Sequence, residues 1–494
     1  MKLYELLEDN AVTNIGDTEI NSVTDDTRKV EKGSLFVCVK GGSFDGHDAA
    51  AEMLEKGAAA VVCERDLGLG DRQILTDNSR ILYGKICASW FDHPEKKLKL
   101  IGVTGTNGKT TITNVIKHIL MANGHKTGLV GTIQNEIGDK IVHTENTTPM
   151  TYDFMKLLAD MADAGCEYVV MEVSSFGLVQ NRIGCSHFDI AVFTNLTQDH
   201  LDYHKNMENY YQAKKMLFDI CDTAVCNIDD DYGKRLYSEI SCDKFTFSVK
   251  ENASFYADGI KIKSTGSSFW FCDGGKSHLV QSRIPGLFNV SNITAAMAVC
   301  LKAGLDIESI ISAVQEYNGV KGRCEVIPTG RDFTVICDYA HTPDAVENIL
   351  RSVREYTKHN LICLFGCGGN RDAAKRPKMA AAAAEDGVAL VLTAGYQDAD
   401  ARSAAYETQK QQYLEKGKTE EEAASLAADI QPPAECNDHG TGYAADILST
   451  DYPTRDTGFD TTRAYEWLTA YAAEYGFILR YPEDKQDITE INYE

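Results

Sequence analysis

A multidomain α/β protein, centred on a mostly parallel sheet with helices on both faces, is predicted by three observations. Runs of buried-strand character alternate with helical periodicity from about residue 98 to 329. A glycine loop joins one of those strands to a helix. The chain has 494 residues, enough for three or four domains.

Residues 1–97 read as a small α/β unit. Leu35–Lys40 and Ala58–Cys63 are apolar runs of strand length, and the helical stretch between them ends at Gly57. In residues 98–329, Leu98–Thr104 is a strand. Apolar residues then fall at Ile112, Val115, Ile116, Ile119 and Leu120, which is helical spacing, and Gly124 ends the run. Glu167–Ser174, Phe188–Asn195 and Thr223–Asp229 are further buried strands. Residues 243–284 carry short β-type runs between Gly turns and are expected to form an antiparallel insertion. Residues 330–379 begin another α/β unit, with strands in Phe333–Ala340 and Asn360–Gly366 and a helix from Pro343. Beyond Met379 the chain turns alanine-rich, and Glu415–Asp429 reads as a charged helix.

Hydrophobic residues make up 43% and charged residues 25%, as in ordinary globular protein, so a sizeable core is possible. A formal net charge of -24 argues against nucleic acid or an anionic membrane as partner, since their phosphates would be repelled. Nucleotides in local pockets remain compatible. The N-terminal stretch lacks the basic-then-apolar pattern of a signal peptide, and no apolar run is long enough to span a bilayer, so a cytoplasmic location is expected. The 15 cysteines include no Cys-x-x-Cys pair and are expected to be reduced and mostly structural.

The sharpest motif is Gly105-Thr106-Asn107-Gly108-Lys109-Thr110-Thr111, lying between a predicted strand and a predicted helix. Glycines let backbone N–H groups approach phosphate, and the helix N-terminus adds a favourable dipole. Lys109 would neutralise β- and γ-phosphate charge, and the Thr110 hydroxyl would reach Mg²⁺. Five residues, not the usual four, separate Gly102 from Gly108.

This loop and the motifs after it resemble the Mur ligase family over roughly residues 1–379, and within it the enzymes that add the third peptide residue. The resemblance implies a UDP-sugar-binding domain (1–97), a central ATP-binding domain (98–329) and part of a Rossmann-like third domain (330–379). Asn146-Thr147-Thr148-Pro149 matches the loop that holds the UDP-sugar substrate. Met171–Leu178 matches the strand-end motif whose glutamate, Glu172, binds Mg²⁺, with Phe176 where many relatives have His. Thr194–His204 matches the segment whose His200 binds a second Mg²⁺, and Tyr211-Gln212-Ala213-Lys214 the position of a carbamylated lysine. Pro285–Asn292, with Asn289 and Asn292, matches the adenine-side loop. Gly322-Arg323 and Asp338–Pro343, with His341, match ATP-facing residues. Phe365–Met379 matches another signature, with Asn370 in place of the usual Asp.

Asp26-Thr27-Arg28 and Gly46-His47 resemble the uridine end. Substrate contacts are also implied at Ser22, Ser174, Gln180 and Arg182. The implied reaction joins UDP-N-acetylmuramoyl-L-alanyl-D-glutamate to a diamino acid, by a monomer using ATP and Mg²⁺. An amide bond needs an activated carboxylate, and γ-phosphoryl transfer supplies one as an acyl phosphate. Lys109, together with metal held by Thr110, Glu172 and His200, would offset the charge of the two anionic partners. The Asp-Asn-Pro-Arg sequence typical of diaminopimelate adders does not occur, so diaminopimelate and lysine both stay open.

From about residue 380 to 494 the chain resembles instead a VanY-type D-alanyl-D-alanine carboxypeptidase, an α+β peptidase-like tail. Asn437–Asp446 matches the family's zinc motif, with His439 and Asp446 as ligands, and Glu494 aligns with its catalytic glutamate. His439 is the sole histidine after residue 379, leaving two protein ligands where a catalytic zinc normally has three. The seam near Met379, inside what should be one domain, reads as a chimeric junction. A zinc carboxypeptidase and a non-catalytic nucleotide-binding protein are therefore the alternatives to a ligase.

Overall fold

A computed structural model describes residues 1–364 apart from 8–14, 43, 264, 328, 330–332, 355 and 358–359, with short pieces at 378–379, 406–407, 410–411, 413–414, 418–420 and 422–424. The sequence expectations at His439, Asp446 and Glu494, and most of Phe365–Met379, lie outside the described residues. The chain divides into two compact units, Met1–Tyr339 and Ala340–Glu494.

In the first unit, Ser22–Thr24, Ser34–Val37, Ala60–Cys63 and Gln73–Leu75 form a four-stranded parallel sheet in chain order. The strands at Ser34 and Ala60 are the two expected from their apolar runs. The helix between them, Ala50–Lys56, ends at Gly57 with φ +118°, a left-handed conformation that favours glycine.

The second sheet has eleven strands. Its parallel centre runs Asp243–Ser248, Cys221–Asn227, Phe188–Phe193, Lys99–Thr104, Tyr168–Glu172 and Thr127–Val130. The helix Lys109–Ala122 lays Ile112, Val115, Ile116, Ile119 and Leu120 into a core shared with Leu287–Lys302, as the helical spacing predicts. Strand polarity places the carboxyl ends of Lys99–Thr104, Tyr168–Glu172 and Phe188–Phe193 at one edge, where ligands bind in open parallel sheets.

The expectation for residues 243–284 needs correction. The antiparallel pairing is present from Tyr256 to Ser282, but the segment starts with a parallel strand and the whole extends this sheet. Asp243–Ser248 pairs parallel to Cys221–Asn227, and Phe255–Lys263 begins parallel to it at Phe247 and Phe255. From Tyr256 onward the pairing is antiparallel, Phe255–Lys263 with Gly266–Cys272 and Gly266–Cys272 with Ser277–Ser282. Phe247, Phe255, Phe269 and Phe271 all feed the core under Leu287–Lys302, so burial of one aromatic face favours continuation over a detached hairpin. At the opposite edge, Asn135–Ile137 and Lys140–Val142 add a hairpin that the sequence pattern does not predict. Glu325–Ile327 pairs antiparallel with Val335–Cys337, so this strand belongs to the first unit.

The two sheets of this unit share a core in which Leu82, Tyr83 and Ile86 meet Phe154, Met155 and Ile183. Gly84, on the helix Ser79–Trp90, is where the backbones come closest: a Cβ there would lie 2.6 Å from Gly184 Cα. Backbone cannot yield as a flexible side chain can, so Gly84→Ala is expected to cost about 1–3 kcal/mol. The loss should be read as a lowered thermal midpoint; an unchanged midpoint would contradict the close packing.

In the second unit, the helix Pro343–Arg354 starts where the Thr342 hydroxyl accepts from Ala345 N–H (3.2 Å), and it packs Val346 and Leu350 against Met379. Among the described residues no helix is long and apolar enough to cross a membrane.

Candidate active site

The glycine loop follows the strand Lys99–Thr104 and leads into the helix Lys109–Ala122, as expected. Gly105 has φ +148°, and a Cβ there would fall 1.8 Å from Thr194 Oγ1; at Gly108 a Cβ would fall 2.6 Å from Asn292 Oδ1. Glycine is therefore required by contact as well as by conformation. Asn289 Nδ2 donates to Pro285 O (2.8 Å), and Asn292 Nδ2 reaches Asn289 Oδ1 at 3.4 Å, so these two asparagines adjoin the loop.

Residues from the next strand end brace the loop. Thr106 N–H donates to Asn195 O (2.9 Å) and Asn107 N–H to Asn195 Oδ1 (2.9 Å), while Thr194 Oγ1 donates to Asn107 O (2.6 Å). The bracing role of Thr194 and Asn195, in the segment that leads to His200, has no signal in the sequence, since both are common residue types at a strand end.

Two lysines converge on one carbonyl. Lys109 Nζ donates to Gly105 O (2.9 Å) and Thr106 O (2.8 Å), and Lys214 Nζ donates to the same Gly105 O (2.8 Å). Lys214 is fully buried, with its ammonium 4.6 Å from the Tyr210 ring centroid. Burial lowers the pKa of both lysines. For Lys214, where the shift is large, the nearby Lys109 charge lowers it further and Asp199 partly opposes this.

Glu172 ends the strand Tyr168–Glu172 and is buried. Thr110 Oγ1 donates to its Oε2 (3.0 Å), Thr132 Oγ1 donates to the same oxygen (3.0 Å), and Thr132 N–H donates to Oε1 (2.9 Å). Arg323 Nη2 in turn donates to Thr110 Oγ1 (3.2 Å). The Arg323 guanidinium lies 4.7 Å from the Tyr339 ring centroid, and its buried Nε has no protein partner among the described residues. Asp338 accepts from Cys324 N–H (2.7 Å) and so holds the neighbour of Arg323. His341 belongs to the second unit.

His200 has φ +55° at the start of the short helix Leu201–His204. Its side chain is 39% exposed, with Nε2 3.4 Å from Asp199 Oδ2, and its ring meets Phe176 edge-on at 5.2 Å. Phe176 thus fills an aromatic cluster with His200, Tyr203 and His204. Among the described residues no group of three or more His, Cys, Asp or Glu forms a metal cage. Mg²⁺ usually keeps waters and needs only one or two carboxylates plus substrate phosphates, and a buried carboxylate beside the Thr110 hydroxyl fits that donor set.

On the other side of Glu172, Thr148 Oγ1 donates to Glu172 O (3.0 Å) and accepts from Ser174 N–H (2.9 Å). Ser174 caps the next helix by accepting from Gly177 N–H (3.0 Å). Arg182 donates to Thr148 O (3.0 Å) and, through Nε and Nη2, to Gln180 Oε1 (3.0 and 2.9 Å). Asn146 O accepts from Thr144 Oγ1 (2.9 Å). The structure therefore gathers Thr147, Thr148, Ser174, Gln180 and Arg182 into one polar rim.

In the N-terminal sheet, Ser22 Oγ lies 2.8 Å from Ser34 Oγ. Asp26 caps the turn Thr27–Lys29 and pairs with the exposed Arg28 guanidinium at 2.8 Å. His47 is buried: its Nε2 accepts from Glu64 N–H (2.9 Å), so Nδ1 carries the proton and donates to Asp45 (2.6 Å). Arg80, absent from the sequence reading, links this sheet to the rim through Lys40 O (2.7 Å) and Gln180 O (3.4 Å).

Three family models match the chain: the Mur ligase family catalytic domain over residues 19–88, the Mur ligase middle domain over 103–300 and the Mur ligase glutamate ligase domain over 322–438. The last continues to residue 438, well beyond the seam expected near Met379. A UDP-N-acetylmuramoyl-L-alanyl-D-glutamate–2,6-diaminopimelate ligase of Clostridium acetobutylicum is 43% identical over 386 residues, covering 77% of this chain and 80% of that protein. The corresponding ligase of Clostridium tetani is 41% identical over 405 residues, covering 80% and 83%. A solved structure of a UDP-N-acetylmuramoyl-L-alanyl-D-glutamate–2,6-diaminopimelate ligase aligns with TM-score 0.66 and 30% identity, over 81% of this chain and 84% of that one.

Proposed function

Since the chain belongs to the Mur ligase family, we propose that it joins the D-glutamate carboxylate of UDP-N-acetylmuramoyl-L-alanyl-D-glutamate to an amine of 2,6-diaminopimelate, with ATP cleaved to ADP and phosphate. The observation that carries this reading is the position of Glu172. Its carboxylate is held by Thr110 of the phosphate loop and by Thr132, which touches the substrate loop at Thr147.

In this mechanism the loop N–H groups and Lys109 hold the triphosphate. Lys109 leaves the Gly105 and Thr106 carbonyls for phosphate oxygens, and Arg323, whose Nε has no partner among the described residues, adds a second cation. Thr110, Glu172 and His200 would hold Mg²⁺, which supplies charge neutralisation between the two anionic substrates. The rim of Thr147, Thr148, Ser174, Gln180 and Arg182 orients the muramoyl dipeptide so that its carboxylate meets the γ-phosphorus. The resulting acyl phosphate is attacked by the amine, and phosphate leaves. Ser22, Thr27, Arg28 and His47 serve the uridine end, His47 by shaping the loop at Asp45 because both its ring nitrogens are engaged. Lys214 is carbamylated: an amine whose pKa is lowered by burial is neutral often enough to add CO₂ and lose a proton, giving a carboxylate-like side chain.

The reaction uses ATP and a nucleotide-linked precursor, which fits a cytoplasmic site of action. Phosphate release should require both the UDP-dipeptide and diaminopimelate, with lysine as the competing amine. Release without either acceptor, or equal rates with lysine, would overturn the assignment. The alternative reading, a zinc D-alanyl-D-alanine carboxypeptidase on His439, Asp446 and Glu494, would show itself as chelator-sensitive release of D-alanine.

A further inference from the structure

The hydrogen bonds around Glu172 have a fixed direction. Thr110 and Thr132 each have one hydroxyl proton, and both protons go to Glu172 Oε2 at 3.0 Å. Each hydroxyl oxygen can then only accept. Thr110 does so from Arg323 Nη2 (3.2 Å), and Thr132 from the Thr147 hydroxyl (3.1 Å). Two relays therefore end on one carboxylate, one from the nucleotide-side arginine and one from the muramoyl-side threonine.

The second relay has its own support. The Thr132 backbone N–H holds Oε1 (2.9 Å), so this residue grips both carboxylate oxygens. At Gly131 a Cβ would stand 2.8 Å from Oε1, so the backbone wraps the carboxylate closely there, and Gly131 N–H is itself tied to Asn135 Oδ1 (3.3 Å). The strand end Val130–Thr132 is built around Glu172.

We propose that Thr132 is a positioning residue for this ligase. It fixes the rotamer of Glu172 for metal and ties it to Thr147, so that muramoyl-loop occupancy and metal binding are linked. This rests on the metal role of Glu172 proposed above. Partners that orient a metal carboxylate typically carry ten- to a hundredfold in metal affinity when lost. Thr132→Val keeps the backbone N–H and the side-chain shape but removes the hydroxyl, so the lower end of that range applies.

The test is Mn²⁺ binding to the full chain in the presence of ADP, followed by electron paramagnetic resonance. Thr132→Val is expected to weaken Mn²⁺ roughly tenfold, and Thr132→Ser, which keeps the hydroxyl, to restore it. The UDP-dipeptide should alter Mn²⁺ affinity in the parent protein and in Thr132→Ser, but not in Thr132→Val. Glu172→Gln separates the possible failures. If Thr132→Val binds Mn²⁺ like the parent while Glu172→Gln does not, Thr132 is no positioning residue and the metal role of Glu172 survives. If Glu172→Gln also binds normally, the metal reading falls and this proposal with it. Should Thr132→Val not fold, Thr132→Ala carries the same comparison.

Discussion

Lys109→Ala should lower substrate-dependent phosphate release by about a thousandfold, the scale expected when a cation is removed from developing charge in a preorganised site. Nucleotide affinity should fall with it. The fold should hold, because Gly105 O keeps its bond from Lys214 Nζ (2.8 Å) when Lys109 is truncated. The contrast to measure is therefore an almost unchanged thermal midpoint beside a collapsed rate and a weakened ADP titration. Ligation kept within about tenfold of the parent would remove Lys109 from phosphate binding.

Lys214→Met should raise stability while sharply lowering ligation. In CO₂-depleted buffer, where Lys214 is the unmodified amine, its buried ammonium has one carbonyl and a ring face for partners and pays an uncompensated desolvation cost, and Met fills a similar volume without charge. Gly105 O is not orphaned, since Lys109 still donates to it at 2.9 Å. The thermal midpoint at neutral pH should rise by roughly 2 °C, and ligation should fall by about a hundredfold or more.

The pH dependence has a definite sign. The folded-state pKa of Lys214 lies well below its ordinary 10.5, so between those two values the unfolded chain binds a proton that the folded one releases. Stability of the parent then rises with pH across that window, and the penalty is present in full below the lowered pKa. The advantage of Lys214→Met should accordingly shrink as pH approaches 10.5. A midpoint that falls on substitution, or a gap that widens at high pH, would show that Lys214 is not held as a destabilised amine.

Such a lysine is legible in sequence only as a motif position. Lys214 stands two residues from Gln212 on a polar helix, and local pattern gives no sign that it is buried. Burial follows from packing the helix Met207–Lys215 against the glycine loop, which brings Gly105 to a residue 109 positions away. Arg323 and Thr110 are 213 positions apart, and their contact depends on the same kind of closure. Residues 243–284 are only partly legible for a related reason. Their short β runs and Gly turns mark strands and antiparallel pairing, but whether they add to an existing sheet depends on which aromatic face finds a core.

The local arrangement was determined by the amino-acid order alone. A strand, a glycine loop and a helix follow one another because apolar period, left-handed turns and helix start are properties of neighbouring residues, and Glu172 at a strand end belongs to the same class of fact. Only the tertiary structure decided that Thr132, Thr194 and Asn195 serve the site, and that Lys109 and Lys214 share one carbonyl. These are common residue types with no distinctive spacing. Their roles arise because strands distant in sequence end side by side at one edge of a parallel sheet, and that adjacency is set by the burial of whole faces.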